Sequence, residues 1–541
     1  MHRSRWIRFT GMLSLGLGLA WSGVVHAAPL TGEVVDAETG KTIPARLYIH
    51  AEKGGWFFAE SAVPEGSALR YQKQSGANKA AVEHHTSLSA HPFTAELPPG
   101  IYTVTAERGK EYRPLERRIE IKSEPVALKL PLRRWVNMAE RGWFSGDTHL
   151  HRDPVELPNV MLAEDLNVAM PMVYWTQSDA VSPKASDKNF KGEYPARPVF
   201  VDPTHVYYPW NTEYEIFNTG GKRHTLGALV AINHKTIFDL PALPVSKVAA
   251  RAHAEGGLID LEKHNWDWTA AIVPLVKPDL FELSNNHLWR TEYGVTNWAI
   301  PAPAWMQIGT GGGSEKEWAL YGLQTYYTLL DCGFRLVPTA GTAHGVHPVP
   351  LGYGRVYVNT GKRFDYSSWM KGLREGRSFV TTGPMLLAQV DGEQPGYKWK
   401  SSGFTRRVKV SGKVFSEVSV SRVEVILNGK VSHVLQPRSR VNRDSAWEAD
   451  FEADIELKGT SWLAVRCWED RTDGRVRFAH TAPWFFDVKG IPNRPRREEI
   501  GWLLQRTQEE IQRSESVLPP EAVEEYRKAL AAYEEIARYA E

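Results

Sequence analysis

Residues 256–264, with the sequence GGLIDLEKH, contain a short apolar run that ends in side chains able to bind a metal. Similar apolar runs, VAMPMV at 168–173 and GALVAI at 227–232, alternate with stretches of helical character. The alternation over residues 135–390 predicts an α/β barrel or a layered sheet, whose chemistry would lie at the carboxyl ends of the strands.

The composition is that of an ordinary globular protein of several domains. The 541 residues allow about three or four domains. Apolar residues make up 42% of the chain and charged residues 24%, which argues against a disordered or polytopic membrane protein. Lys and Arg total 65 against 63 Asp and Glu, so charge gives no reason to expect nucleic acid or an anionic membrane as a partner.

The N-terminal 27 residues have the pattern of a secretory signal peptide. Arg3, Arg5 and Arg8 precede an uncharged stretch, and Val25-His-Ala27 offers small residues at a cleavage site. An uncleaved anchor is the alternative, but the apolar stretch is short for the ~20 residues that span a bilayer. We therefore expect export to the periplasm or the extracellular space, with no integral membrane segment in the mature chain.

The cysteine count limits the possible covalent and metal chemistry. Cys332 and Cys467 are the only two cysteines, so a disulfide scaffold and a four-cysteine zinc site are excluded. Whether the two pair with each other is left open by the sequence.

Three further regions flank residues 135–390. Residues 28–134 alternate apolar and polar positions and predict a β-sandwich, and residues 400–490 predict a second one with a hairpin turn at Asn428-Gly429. Residues 495–541 predict a helical hairpin that is broken at 516–520, with a coiled-coil partner as the alternative.

The sequence GDTHLH at 146–151 provides the first candidate metal ligands. If it ends a strand, the period of two places His149 and His151 on the same face, where two imidazoles can converge on zinc or manganese. Two hydrogen-bonded polar residues are the alternative, because a single H-x-H is a weak motif.

Further ligand-capable residues follow other short runs. Most of them end an apolar segment, as expected where a barrel enzyme collects a site from distant strands. These candidates are Glu213, Glu215, His224, His264 and His344.

Two acids are candidates for moving a proton. On a strand, Glu262 would share a face with His264, and Glu213 would share one with Glu215. The alternative is that Glu213 and Glu262 are charges at the surface or around the site. Glu262 is the catalytic candidate.

Several segments together resemble known proteins. The segments WFSGDTHLHRD, EYEIFNTGGKRHTLGALVAIN, GGLIDLEKHNWDW and PTAGTAHGVHPVPLGYGRVYVNT are similar to the CehA/McbA-type, carbaryl-hydrolase-like metallohydrolases of the polymerase-and-histidinol-phosphatase (PHP) superfamily. The similarity covers about residues 135–390. Residues 28–134 in turn resemble a transthyretin-like, carboxypeptidase regulatory-like domain, whose role is usually support or attachment.

The resemblance implies a fold, a cofactor and a site. The implied fold is a distorted (β/α)7 PHP-like barrel flanked by two β-sandwiches and a helical hairpin, that is, a multidomain α/β plus all-β chain. The implied cofactor is one or two divalent ions, Zn, Mn or Fe, that activate water. Matched by motif, the implied ligands are His149, His151, Glu215, His224, His264 and His344.

The sequence departs from the family pattern at two places. Residues 174–179 contain no histidine where a D-H-N turn is usual, and Ala343 stands where the final loop usually has an aspartate. Two functions are therefore open. The first is an exported metal-dependent hydrolase acting on an ester, amide or phosphoester. The second is a catalytically degenerate PHP-like protein that binds carbohydrate or polymer.

The remaining aromatic and polar clusters have two interpretations each. Six tryptophans lie between residues 266 and 318, and they favour core packing over a sugar or aromatic-substrate cleft. Asn285, Asn286 and His287 predict either a capped turn or a substrate contact. His84, His85 and His91 are expected in exposed loops.

Overall fold

The computed structural model describes residues 28–185, 188, 190, 192–295, 298–309 and 313–541. The expected signal peptide therefore lies outside the described residues. Within them, no helix is both long and apolar enough to cross a membrane.

Residues 28–132 form two β-sheets that enclose their own apolar core. One sheet has the strand order β10-β1-β7-β4 and the other β5-β6-β2-β8-β9, with β3 paired to β2. Apolar side chains such as Leu30, Val104 and Leu130 fill the space between them. The strands are β1 (Ala28–Asp36), β2 (Ala45–Ala51), β3 (Trp56–Phe57), β4 (Glu60–Ser61), β5 (Ala68–Gln74), β6 (Val82–Leu88), β7 (Phe93–Leu97), β8 (Gly100–Glu107), β9 (Leu115–Ile121) and β10 (Val126–Leu132).

The central region alternates strands with helices only in part. Its elements are β11 (Trp143–Leu150), α1 (Leu157–Ala163), β12 (Val168–Pro171), β13 (Tyr174–Ser178), β14 (Lys184–Ala185), β15 (Val199–Asp202), β16 (His205–Tyr207), β17 (Thr212–Thr219), β18 (Lys222–Ile232), α2 (Val245–Ala254), β19 (Leu258–Leu261), α3 (Trp268–Ala271), α4 (Val273–Val276), β20 (Leu280–Ser284), α5 (Glu315–Asp331), β21 (Val337–Ala340), β22 (Arg355–Asn359), α6 (Tyr366–Glu375) and β23 (Ser378–Thr381). Short 3₁₀ helices occupy Ala139–Arg141 and Ala304–Met306. Strands β17 and β18 form an antiparallel pair joined directly by residues 220–221, so no helix separates them. Strand β18 also pairs antiparallel with β19.

Two sheets share these central strands. One has the order β14-β13-β17-β18-β19-β20-β21, and the other contains β15-β16-β12-β11-β22-β23. The edge strand β21 lies beside β11, where Thr148 Oγ1 donates to the carbonyl oxygen of Ala340 at 3.1 Å. In the next turn the amide of Ala343 donates to the carbonyl oxygen of His149 at 2.7 Å. The carboxyl ends of these strands therefore meet around His149.

Local sequence signals fix the helix ends next to these strands. Ser314 and Glu317 form a capping box at the start of α5, since each side chain accepts from the other's backbone amide, at 3.3 and 2.8 Å. Asp365 caps α6 through the amide of Ser368 at 2.6 Å, and Gly376 ends the helix at φ 75°.

The C-terminal region continues a central sheet and also adds a separate four-stranded sheet, formed by Met385–Val390, Thr405–Ser416, Trp447–Lys458 and Ser439–Val441. Strand β23 pairs with β32, so the sheet runs on through β31 and β27 to β28. The strands are β24 (Met385–Val390), β25 (Lys398–Ser401), β26 (Thr405–Ser416), β27 (Arg422–Leu427), β28 (Lys430–Leu435), β29 (Ser439–Val441), β30 (Trp447–Lys458), β31 (Ser461–Trp468), β32 (Phe478–Thr481) and β33 (Trp484–Val488). The hairpin turn expected at Asn428-Gly429 is confirmed, because both residues have positive φ, 45° and 73°, between β27 and β28.

The chain ends in the expected helical hairpin. The two helices are α7 (Arg497–Ser514) and α8 (Pro520–Ala537), and the break falls at 515–519. Apolar residues such as Leu503 and Tyr526 join the core of the central region. The hairpin therefore packs on the body of the protein.

Packing answers one question that the sequence left open and contradicts one prediction. Cys332 and Cys467 are both buried and unpaired. The expectation that His84 and His85 lie in an exposed loop is wrong, because both belong to β6. His85 is only 1% exposed, and its Nδ1 lies 2.7 Å from Glu83 Oε1.

Candidate metal centre

His149 lies in β11, and His151 directly follows the last residue of this strand, so both rings approach the same point. All eight residues of β11 are buried, and His149 and His151 are each only 1% exposed. The Nε2 atoms of the two rings lie 3.2 Å apart. The expectation that the H-x-H histidines share a face is therefore confirmed.

Glu213, on β17, completes a set of three ligand atoms. Its Oε2 lies 3.2 Å from His151 Nε2, and its Oε1 lies 3.6 Å from His149 Nε2. Metal–ligand bonds of about 2.0–2.1 Å in tetrahedral geometry separate neighbouring donor atoms by about 3.3 Å. Each Glu213 oxygen thus lies at about this distance from one imidazole nitrogen. One donor atom from each of the three residues lies within 4.8 Å of the other two, so the three residues could hold one ion.

A second group of carboxylates approaches His149 from the other side of its ring. Glu282 Oε2 lies 2.9 Å from His149 Nδ1, and Glu262 Oε2 lies 3.4 Å from the same atom. A carboxylate can only accept a hydrogen bond, so the Glu282 contact places the proton of neutral His149 on Nδ1. The lone pair of Nε2 then faces His151 and Glu213. Glu282 therefore orients His149.

The electrostatics of the two histidines differ. Burial opposes the charged form of both, but the carboxylates of Glu262, Glu282 and Glu213 raise the pKa of His149 to about 10. Burial and the charge of Lys188 lower the pKa of His151 to about 3. An ion entering this set would therefore displace a proton from His149 and none from His151.

Two lysines neutralise part of the acidic cluster. Lys188 Nζ lies 2.8 Å from Glu213 Oε2 and 3.0 Å from Glu215 Oε2. Lys263 Nζ lies 2.6 Å from Glu262 Oε2 and 3.7 Å from Glu215 Oε1. Glu215, which the resemblance implies as a ligand, thus lies near two ammonium groups, and Glu213 is the carboxylate beside the histidines.

His224 lies away from the cluster. It is on the early part of β18, and its Nε2 lies 3.0 Å from the hydroxyl of Ser514 in α7. The ligand role expected for His224 is not supported, because the register of β18 directs this ring to the helical hairpin.

His264 and His344 lie near the cluster but in neither ligand group of the described residues. His264 Nδ1 is 3.2 Å from Asn285 Nδ2, and its ring lies 4.3 Å from that of Trp318. His344 Nδ1 lies 2.8 Å from the carbonyl oxygen of Val349. Both rings keep a buried Nε2 with no hydrogen bond, so their ligand roles stay predictions.

Backbone geometry explains why Glu262 and His264 separate. The strand β19 ends at Leu261, and Lys263 has a left-handed φ of 59°. The alternation of side chains therefore stops here, and the expected common face of Glu262 and His264 is not formed. Glu262 turns to His149, while His264 turns to α5.

Hydrogen bonds tie the loop that contains Ala343 to β11. Thr342 Oγ1 donates to the buried Asp147, which also accepts from the amide of Gly352 at 3.0 Å. Burial raises the pKa of Asp147 to about 6 against these hydrogen bonds. Asp147 thus ties the final loop to β11 next to His149.

The sequence interpretation missed Glu282, Lys188, Lys263 and Asp147 as parts of the site. Glu282 had a usable signal, since it stands in the apolar run LFELS at 280–284, like the other candidates. Lys188 had none, because only the fold brings it to Glu213 and Glu215, whereas Lys263 directly follows Glu262 in the sequence.

The tryptophan-rich segment is mostly core. Trp268, Trp289, Trp298 and Trp318 are at most 6% exposed. Trp318 donates to Asn285 Oδ1 at 3.0 Å, so the aromatic core also positions an amide beside His264. The interpretation as core is thus confirmed for Trp268, Trp298 and Trp318, whereas the buried Trp289 also lines a cavity.

Comparison with known proteins does not extend this description. No family model matches the chain, and no curated protein matches it. The functional interpretation therefore depends on the geometry of the buried cluster.

Proposed function

We propose that this protein is an exported metal-dependent hydrolase that uses metal-activated water on an ester, amide or phosphoester. The observation that carries the proposal is the spacing of His149 Nε2, His151 Nε2 and a Glu213 carboxylate, 3.2–3.6 Å between the imidazole nitrogens and the carboxylate oxygens. Burial of all three side chains removes them from competing water, which favours a bound ion.

The residues present fit a divalent ion. Glu213 Oε1 and Glu262 Oε1 are buried and make no hydrogen bond, which is costly unless a cation or water satisfies them. Three further carboxylates, Glu215, Glu282 and Asp260, surround the same region. Imidazole and carboxylate ligands suit Zn, Mn or Fe, so we propose one of these three metals.

The number of ions follows from the sharing of His149. The ligand groups His149–His151–Glu213 and His149–Glu262–Glu282 use opposite nitrogens of one ring. Because the Nδ1 hydrogen bond to Glu282 orients the ring for binding through Nε2, we propose one firmly held ion in the first group. A second ion would have to displace Lys263 from Glu262.

The chain's own residues supply the proton chemistry. When bound, a divalent ion polarises a carbonyl or phosphoryl oxygen and lowers the pKa of water towards about 7. Burial and the neighbouring glutamates outweigh Lys263 and His149 and raise the pKa of Glu262. Its carboxylate lies 3.4 Å from His149 Nδ1, beside the proposed ion site, and a carboxyl with a raised pKa can accept a proton and return it, so Glu262 is the proposed general base.

A barrel around this site is part of the proposal. The hydrogen bonds between β11 and the β21 edge support closure on one side. On the other side, β12 and β13 are separated only by Met172 and Val173 and lie in the two different sheets. Together these connections favour the distorted (β/α)7 arrangement that the resemblance implies.

The decisive measurement is metal content per chain, by elemental analysis of protein starting at Ala28. We expect a stoichiometric divalent ion in the wild type and none in the double variant His149→Ala/His151→Ala. His224→Ala is the matched control and should retain the ion, because its ring contacts α7 instead. Absence of metal after incubation with zinc and manganese would contradict the proposal.

Turnover separates the hydrolase from a metal-containing binding protein. In a screen of esters, amides and phosphoesters, Glu262→Gln should keep the ion and lower kcat by about 10²–10⁴-fold, the usual contribution of a general base. A metal-replete wild type that binds carbohydrate polymer but hydrolyses nothing would instead favour the binding function.

A further inference from the structure

A cavity of about 360 Å³ lies where the N-terminal region meets the central region. Its N-terminal wall is the turn after β5, residues 74–77. The opposite wall contains His287, Trp289 and His347.

The cavity wall is free of formally charged side chain types. Its described lining residues include no Asp, Glu, Lys or Arg, although the metal centre nearby is crowded with them. Desolvating a charged group against such a wall would be costly, whereas an uncharged group would gain from burial. The described wall of the cavity therefore offers a charged group no partner of opposite charge.

Three rings form one side of the cavity. The ring centroids are 5.5 Å apart for His287 and His347, and 5.8 Å apart for Trp289 and His347. Neighbouring rings at these distances present a continuous, largely apolar surface.

Hydrogen bonds hold the N-terminal wall in place. Ser75 Oγ accepts from the amides of Ala77 and Asn78, both at 3.2 Å. Asn78 Nδ2 donates to the carbonyl oxygen of Tyr293 at 2.9 Å. The turn is therefore fastened to the central region, and the cavity is formed in advance of binding.

The cavity is connected to the metal centre through the loop that follows β21. The carbonyl oxygen of His344 accepts from the amide of His151 at 2.7 Å. His347, three residues further along the same loop, lines the cavity. Tyr71, from the N-terminal region, donates to the carbonyl oxygen of His347 at 2.6 Å and accepts from the amide of Gly345 at 2.9 Å. One loop thus contacts a proposed ligand at one end and lines the cavity at the other.

We propose that this cavity binds an uncharged group of the substrate, and that the N-terminal region supplies one wall of that subsite. This proposal rests on the proposed hydrolase function, because the bound group belongs to the substrate of that hydrolase. It gives the N-terminal region a part in substrate specificity. Tyr71 is then a positioning residue, because it holds the shared loop and its ring lies 4.1 Å from that of His344.

The test uses three probes of equal shape and different charge. They are 4-phenylbenzyl alcohol, 4-phenylbenzoate and 4-phenylbenzylamine, titrated calorimetrically into the full mature protein with and without metal. We expect the alcohol to bind at least tenfold more tightly than either charged probe.

Variants that fill the cavity locate the binding. Gly76 lines the cavity, and a Cβ atom at this position would meet no atom within 4 Å, so Gly76→Trp introduces no clash at the backbone. It should weaken binding of the alcohol at least tenfold. Gly501→Trp on α7 is the matched control, since that position is equally open, and it should change nothing. Val346→Trp, at a position 40% exposed, fills the cavity from the opposite wall if Gly76→Trp fails to fold.

The outcomes separate this proposal from the proposed function. Equal binding of a charged probe, or unchanged binding in both filling variants, would overturn the subsite. Binding of the alcohol to protein that takes up no metal would support the cavity while contradicting the hydrolase. A stoichiometric metal without selective binding of the alcohol would support the metal centre and contradict the subsite.

Discussion

At the scale of the residue, the orientation of one imidazole decides what the site can bind. His149 has a nitrogen in each ligand group, and the carboxylate of Glu282 at 2.9 Å fixes which nitrogen carries the proton. The contact joins residues 133 positions apart in the sequence. Glu282 is therefore a support for a ligand rather than a replaceable surface charge.

Replacing Glu282 should weaken metal binding without abolishing it. In Glu282→Gln the amide can present its NH₂ group to Nδ1 and favour the wrong tautomer, and loss of such a partner typically costs 10–100-fold in affinity. A competition titration with a chromophoric chelator measures this. Glu292→Gln, at an exposed acid, is the control. Unchanged affinity would show that Glu282 does not orient His149.

At the scale of the element, β32 couples the central region to the C-terminal one. His480 in this strand is fully buried, its Nδ1 lies 2.6 Å from the carbonyl oxygen of Thr481, and its Nε2 lies 2.8 Å from the hydroxyl of Tyr327 in α5. Both contacts suit the neutral ring, because Nδ1–H donates to the Thr481 carbonyl oxygen and the Tyr327 hydroxyl donates to Nε2. Burial and Arg466 lower the pKa of His480 to about 3.

The depressed pKa makes His480 a source of acid sensitivity. Below pH 6.5 the unfolded chain binds a proton at His480 that the folded chain refuses, so stability falls as the pH falls. Between pH 7 and pH 5 this group should remove about 2 kcal/mol from the free energy of unfolding. In urea unfolding, the free energy of unfolding of His480→Gln should fall between pH 7 and pH 5 by about 2 kcal/mol less than that of the wild type. The exposed His433→Gln should behave as the wild type, and equal decreases in all three proteins would contradict the assignment.

At the scale of the whole molecule, a buried ion network joins the N-terminal and central regions. Arg46 of β2 is 3% exposed and is bonded to Glu164, which follows α1, and to Glu107 of β8. Arg290 reaches Glu83 of β6 from the central region at 3.0 Å. The two regions are thus held together by charges that depend on each other.

Removing Arg46 should destabilise the protein strongly. In Arg46→Ala the buried Glu164 loses its partner, and breaking a buried pair in this way typically costs about 3–5 kcal/mol. Thermal unfolding followed by calorimetry should show a clear decrease in Tm, while Arg118→Ala, which breaks an exposed pair with Glu52, should leave Tm nearly unchanged. A similar Tm for both variants would mean that the network adds little.

The sequence by itself determined the local features of this protein. The period of two in GDTHLH brings His149 and His151 together, Asn428-Gly429 forms its hairpin, and the tail folds as two helices, because each depends on residues close in the chain. Only the tertiary structure decided which acids meet those histidines, since Glu213 and Glu282 arrive from separate strands. The tertiary structure also decided that His224 contacts Ser514 of α7 instead of the cluster, because the register of β18 and the packing of α7 do not follow from any local pattern.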